Sequence, residues 1–392
     1  MNVYIRQVCE ALATLGIATD VFTRRVGVDD PEIEQMASLS RVIYLPAGHD
    51  HPDKYSLLHH VDEFSSGALD FIADDQLEYD IIYSHYWLSG AVAEIMAAAL
   101  SIPWAHTAHT LGLVKNRHLA PGATPEPLER VKVERNIAER ADLLIASTAD
   151  EGEDLRHLYG ADPDRIEVVA PGIDLTTFFP RPKADAQRKI GYPGERLLLF
   201  VGRLERLKGV ETLLRALALV ADRRHQDVRL LILGEDSRDA EQSERDRLAG
   251  IAADLGISDR VDFLGSVAHH ELSYFYAASE ACLMPSYTES FGLVGLEAQA
   301  SGCAVVASDV AGLASVVREG VTGYLVDGHD PVDWADRLLR LLDDPEAADQ
   351  MGRRGVLLAQ RFPWRLTADR VWAAMEPLLA PAVRGAGAVR PT

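Results

Sequence analysis

The chain has 392 residues, 47% of them hydrophobic, with mean hydropathy near zero, enough for two domains of roughly 100–200 residues, each with its own core. A formal charge of −21 repels nucleic acid and anionic lipid, which both need basic patches, and so argues against either as a partner. No apolar stretch reaches the ~20 residues of a membrane span and the N-terminus lacks a basic-then-apolar leader, so the expectation is a cytoplasmic globular protein.

Residues 1–15 read as a helix, with Tyr4, Ile5, Val8, Ala11, Leu12 and Leu15 on one face. A parallel sheet ordinarily opens with a strand, so either this domain does without its first strand or the chain given begins late. Short apolar runs then alternate with helical patterns, which is the signature of βα units. Strands are expected at 18–23, 42–46, 81–85, 104–109, 143–147 and 166–170. A helix over 55–72 repeats Leu57, Leu58, Val61, Phe64, Ala68, Phe71 and Ile72 at helical spacing. The Pro- and charge-rich stretch Phe179-Pro180-Arg181-Pro182-Lys183 reads as an exposed linker. A second series follows, with strands at 197–201, 230–233, 261–264, 281–285, 304–308 and 323–326 and closing helices over 331–359. Residues 381–392 read as a disordered tail. The fold class is therefore α/β, two doubly wound Rossmann-like domains over 1–172 and 173–380, facing a cleft at the carboxyl ends of their strands where ligands bind.

Three cysteines, Cys9, Cys282 and Cys303, are too few and too scattered for a disulfide framework or a zinc site. Asp162-Pro163-Asp164 has the Asp-x-Asp form of a metal site, but it sits in a turn where Asp and Pro are expected anyway. His49, His51, His59 and His60 come without cysteine, two of them in a loop beside Pro52, so no metal is expected.

Two segments carry candidate chemistry. The strand at 197–201 runs into Gly202-Arg203-Leu204-Glu205-Arg206-Leu207-Lys208-Gly209; glycines and two cations at a strand's carboxyl end suit a diphosphate, although on its own such a loop is as well explained by solvated surface charge. The strand at 281–285 is followed by Glu289-Ser290-Phe291-Gly292-Leu293-Val294-Gly295-Leu296-Glu297. Helical residues eight apart are ~80° out of phase, so Glu289 is placed in the loop and Glu297 within the helix, with Ser290 as N-cap and Gly292 opening it. Such a turn aims backbone N–H groups at an anion while the carboxylates grip hydroxyls. A solvated helix face is the plain alternative; Leu293, Val294, Leu296 and Ala298 around Glu297 argue against it.

Gly202-Arg203…Lys208 and the glutamate pair, with Ser308-Asp309…Gly312-Leu313 and Gly320-x-x-Gly323 downstream, resemble the retaining glycosyltransferases of family 4 with the GT-B fold. The resemblance covers nearly the whole chain. It implies a nucleotide-sugar donor, UDP-linked by expectation, as co-substrate, with no cofactor and no metal. Arg203 and Lys208 would hold the diphosphate, Glu297 the ribose, and Glu289 with the N–H groups of Phe291, Gly292, Leu293 and Val294 the transferred sugar and phosphates. Ser84-His85-Tyr86-Trp87-Leu88-Ser89-Gly90 and His106-Thr107-Ala108-His109-Thr110-Leu111, followed by Lys115-Asn116, are similar to the inositol-phosphate glycosyltransferases of the mycothiol pathway and the related sucrose-phosphate synthases. Lys54, Tyr86, Thr110 and Arg130 match the positions that hold the acceptor's phosphate, with Asn2 a fifth; His109 would lie beside the anomeric carbon. The catalytic set implied is His109, Glu289, Lys208 and Arg203. The family's opening strand and glycine-rich loop would precede Met1, and a start upstream of Met1 is the expected reason for their absence. Fructose 6-phosphate as acceptor, or a non-catalytic binding protein of the same fold, are the rival readings. The base and sugar of the donor stay open, since the resemblance implies base selection largely by backbone matching Phe263 to Val267, and the choice between monomer and homodimer is equally open.

Overall fold

In the computed structural model of the chain, residues 1–27, 30–48, 53–223, 225–236 and 243–379 are described. His49, His51 and the tail at 381–392 lie outside them. Helix α1 (Asn2–Thr14) opens the first domain and buries Tyr4, Val8, Cys9, Ala11 and Leu12 on one face. Strands β1 (Thr19–Arg24), β2 (Ile33–Ala37) and β3 (Ser40–Leu45) follow. Next come α2 (Val61–Asp74), β4 (Ile82–His85), α3 (Trp87–Leu100), β5 (Trp104–Thr107), α4 (Gly112–Arg117), α5 (Leu128–Arg140), β6 (Leu143–Ala146), α6 (Ala149–Tyr159) and β7 (Ile166–Val168). These strands form two sheets. One has the order β1-β3-β2, with β2 antiparallel to β3, and the other is the all-parallel β4-β5-β6-β7. Among the described residues no strand joins β1 to β4. Strand β2 was not expected, because its first three residues are exposed and no apolar run marks it.

The second domain contains α7 (Lys183–Ile190), β8 (Arg196–Val201), α8 (Val210–Arg223), β9 (Val228–Leu233), α9 (Glu244–Asp254), β10 (Val261–Gly265), α10 (Leu272–Ala278), β11 (Ala281–Met284), α11 (Leu293–Ala300), β12 (Ala304–Ser308), α12 (Ala311–Val316), β13 (Gly323–Val326), α13 (Pro331–Asp343) and α14 (Pro345–Ala359). Among the described residues its six strands are parallel in the order β10-β9-β8-β11-β12-β13. Leu197 to Phe200, Leu230 to Leu233 and Val305 to Ala307 are almost wholly buried, as a sheet covered by helices on both faces requires. The strand order reverses between β8 and β11, so the loops leaving these two strands lie side by side at the sheet's carboxyl edge.

A last helix, α15 (Trp364–Leu379), returns to the first domain. Val371 and Met375 pack with Ala105, Leu143, Ile145 and Val169, while Trp364 and Ala368 pack with Tyr4 and Val8 of α1. The chain thus passes between the domains twice, and the passages touch: Ile173 bridges Pro363, and its N–H donates to the Phe362 carbonyl at 2.7 Å. The described residues contain no helix long and apolar enough to cross a membrane.

Candidate functional site

The loop after β8 is anchored by Leu204, 1% exposed, whose N–H donates to the Glu235 carbonyl at 2.8 Å. Beyond it the short turn Arg206–Lys208 presents Lys208 towards the loop after β11, where its Nζ donates to Glu289 Oε2 at 2.7 Å. The strand-order reversal is what brings together two residues 81 positions apart. Arg203 is largely exposed and pairs with Glu205 at 3.0 Å. Burial lowers the pKa of the Met1 amine, the charge of Arg203 lowers it further and Glu289 opposes them.

Gly292, with φ +96°, is itself the N-cap of α11, and no side chain caps that helix. The expected cap, Ser290, is used elsewhere: its hydroxyl donates to the His109 carbonyl across the cleft at 2.5 Å. The first-turn amides of α11 are therefore left without a side-chain acceptor at the positive end of the helix, an arrangement suited to an anion. Glu297 lies on α11 and is 6% exposed. Its Oε1 accepts from His269 Nε2 at 2.8 Å and its Oε2 from the Tyr276 hydroxyl at 2.9 Å. The His269 pKa is raised by that hydrogen bond. Any hydroxyl reaching Glu297 has to share or displace these partners.

On the facing domain, His109 has φ +58° and Tyr86 φ +78°. These are rare backbone states for side-chain-bearing residues, costing about 1–3 kcal/mol each, and such outliers gather at functional sites. The His109 ring shares a 3.1 Å hydrogen bond with His85 and meets the edge of Tyr4 at 5.0 Å. Burial pushes the pKa of His109 well down and that of His85 to about 3, so both rings are neutral at ordinary pH.

Arg130 of α5 is fully buried. Its Nη2 donates to the carbonyl and hydroxyl of Thr110, both at 3.0 Å, and its Nη1 to the Tyr86 hydroxyl at 3.4 Å. The guanidinium also lies over the Tyr86 ring, 5.2 Å from its centre. Lys54 joins through Glu126, 3.9 Å away. Tyr86, Thr110, Arg130 and Lys54 therefore form one cluster; Asn2 is exposed at the start of α1, and none of these contacts reaches it. The cluster contains residues that sequence reasoning did not single out. Glu126 pairs with Lys115 and Arg130, each at 3.0 Å, and accepts from the Tyr55 hydroxyl at 2.8 Å. Glu134 takes Arg130 Nε at 2.7 Å, the Gly112 N–H at 2.9 Å and the Tyr159 hydroxyl at 2.5 Å. The four-residue step from Arg130 to Glu134 was the available signal, because such steps bring side chains together on a helix; Glu126 precedes α5 and gave none. Burial works against the charge of Glu126, but Arg130, Lys115 and Lys54 outweigh it and hold the carboxyl down at about 2.

No group of three or more metal-ligating side chains occurs among the described residues. Asp162 accepts from the Asp164 N–H in its own turn at 3.0 Å, and His60 lies 3.0 Å from Glu63.

Residues 183–356 match the family described as glycosyl transferases group 1, and residues 1–172 match the glycosyl transferase 4-like domain. The D-inositol 3-phosphate glycosyltransferase of Corynebacterium efficiens is 42% identical over 377 residues, which is 95% of this chain and 88% of that protein. The protein of the same name from Nocardia farcinica is 43% identical over 374 residues, 94% of this chain and 82% of that one. Among solved structures, the sucrose-phosphate synthase of Thermosynechococcus elongatus superposes with a TM-score of 0.89 at 34% identity, covering 97% of this chain and 93% of that one.

Proposed function

The chain belongs to the group 1 glycosyl transferases of GT-B fold, and from that premise we propose that it moves a sugar, with retention, from a UDP-linked donor to a hydroxyl of a small phosphorylated acceptor, inositol phosphate first among them. The observation that supports this most is the pairing of a cation and a carboxylate, Lys208 and Glu289, beside the uncapped start of α11, facing the Arg130 cluster across the Ser290 to His109 contact. One side has the chemistry for a diphosphate next to a sugar, and the other the chemistry for a phosphate monoester. The names of the relatives agree with an inositol-phosphate acceptor.

When the glycosidic bond breaks, charge builds on the departing diphosphate while the sugar ring turns cationic, so fixed positive groups on the phosphates lower the barrier most. In this reading Lys208, Arg203 and the α11 amides take that role, Glu289 orients the sugar, Glu297 meets the ribose, and neutral His109 lies against the reacting carbon. The departing phosphate oxygen takes the acceptor's proton in a front-face attack, which needs no carboxylate nucleophile. The same reading places the reaction in the cytoplasm.

The test is nucleotide release from UDP-sugars with inositol 3-phosphate as acceptor. Lys208→Ala and Glu289→Ala are expected to abolish transfer while leaving the thermal melt near that of the parent; near-normal turnover in either sinks the assignment. A second reading, transfer to fructose 6-phosphate, draws on the likeness to a sucrose-phosphate synthase and on a cluster whose polar groups suit a phosphate without selecting a ring. Running both acceptors in parallel separates the two.

A further inference from the structure

Every nitrogen of the Arg130 guanidinium has a partner. Its Nε donates to Glu134, its Nη2 to Thr110 twice and its Nη1 to Tyr86, and the same Nη1 makes an ion pair with Glu126 at 3.0 Å. A guanidinium offers five donors in a rigid fork, and here the fork is fully buried with every arm engaged. An incoming phosphate therefore reaches Arg130 only by replacing a resident acceptor. Glu134 is itself tied to Gly112 and Tyr159, and Thr110 offers its own backbone carbonyl. Tyr86, at 3.4 Å, is a neutral hydroxyl that does not repel an anion, so the charged partner left to yield is Glu126.

Glu126 is built to stand in for a ligand. Its carboxylate collects Arg130, Lys115, the Tyr55 hydroxyl and, at 3.9 Å, Lys54. Its backbone is meanwhile pinned on both sides by Asn116, which accepts the Glu126 N–H at 2.7 Å and donates to the Glu126 carbonyl at 3.0 Å. The main chain is fixed by Asn116, whereas the side chain is held only by groups that a phosphate can equally engage. We propose that Glu126 is a displaceable internal counter-ion that occupies the acceptor's phosphate position in the empty enzyme and sets the charge a ligand must carry to enter. This rests on the phosphorylated-acceptor reading above. A phosphate monoester, with a charge of about −1.5 to −2 at neutral pH, outcompetes a single carboxylate for three cations, whereas a monoanionic acceptor gains nothing by the exchange. Glu126 thus acts as a specificity-determining residue for the acceptor.

The test uses inorganic phosphate as probe, titrated calorimetrically into the full chain at fixed low salt. Glu126→Gln keeps the shape and removes the charge, and its Kd for phosphate should fall at least about tenfold, the scale of one charge-assisted hydrogen bond no longer contested. Glu126→Asp, still charged but too short to reach Arg130 as well, should fall between the two and carries the test if the Gln variant melts early. A merely structural Glu126 predicts the opposite sign, a looser site. Lys54→Ala is the control for the site itself. If Lys54→Ala weakens phosphate binding while Glu126→Gln leaves it unchanged or weaker, the counter-ion proposal is overturned and the acceptor reading stands. If the parent does not bind phosphate, or Lys54→Ala leaves it unchanged, the acceptor reading falls and the proposal with it.

Discussion

Gly312 of α12 never touches a substrate in the proposed chemistry, yet Gly312→Ala should disable the enzyme. A Cβ at this position would lie 2.0 Å from the Glu289 carbonyl oxygen and 2.7 Å from the Phe291 nitrogen. Carbon and oxygen approach comfortably to about 3.3 Å, so something has to retreat by roughly 1 Å. Helix α12 is not free to do so, because Leu313 and Val316 are wholly buried in the core. The turn carrying Glu289 and Ser290 gives way instead, taking with it the Lys208 pairing and the Ser290 contact to His109. Misplacing a reacting group by about 1 Å costs on the order of a hundredfold in rate, about 2.7 kcal/mol of barrier, whereas overpacking of this kind costs about 1–3 kcal/mol of stability. Nucleotide release with a UDP-sugar and inositol 3-phosphate should show kcat/KM down about a hundredfold, with far-UV circular dichroism unchanged and a melt lower by a few degrees. Parent-like kcat/KM in a folded Gly312→Ala protein would refute the reasoning.

Other expected outcomes follow from single groups. Glu151 accepts from the Ser147 N–H at 2.7 Å, but its Oε1 has no partner, and burial lifts its pKa from 4.5 to about 7. Its folded pKa lies above the unfolded one, so its stabilising contribution is complete below pH 4.5 and is lost as pH rises through 7. The gain in unfolding free energy from Glu151→Gln should therefore be larger at pH 8 than at pH 4 by up to roughly 3 kcal/mol, and melts giving the same gain at both pH values would contradict it. Cys9, Cys282 and Cys303 are buried with thiol pKa values pushed up, Cys303 to about 12; at pH 8 the native protein should resist a thiol reagent until denatured, and rapid labelling refutes this. Trp364 is 7% exposed and meets the edge of Tyr4 at 5.5 Å, so Trp364→Ala should cost about 3–5 kcal/mol and speed amide exchange in α1; unchanged denaturant unfolding counts against that packing.

The second domain was legible because its strands are buried on both faces and read as short apolar runs, as Leu197 to Phe200 does. Strand β2 was not, since an exposed edge strand has no such run. Nor was the destination of α15: Val371 and Met375 show an apolar face but not which domain will cover it. At the site, Lys208 and Glu289 were each visible as charges in βα loops, whereas their contact depends on the strand order, which no local pattern encodes. Ser290 was misread as a helix cap because a serine before a helix ordinarily caps it; here a carbonyl from another domain competes for the hydroxyl. Glu126, between two prolines, was not singled out in the sequence; the fold places Arg130, Lys115 and Lys54 around it.

The paired passages at Ile173 and Pro363 have a mechanical consequence. Two bodies tethered by one flexible segment can swing and twist about any axis. Two adjacent tethers hydrogen-bonded to each other resist twisting and sliding, and leave one soft motion, a rotation about the line through both. In this molecule any such rotation has to break the Ser290 to His109 hydrogen bond, which joins the Lys208 side to the Arg130 side.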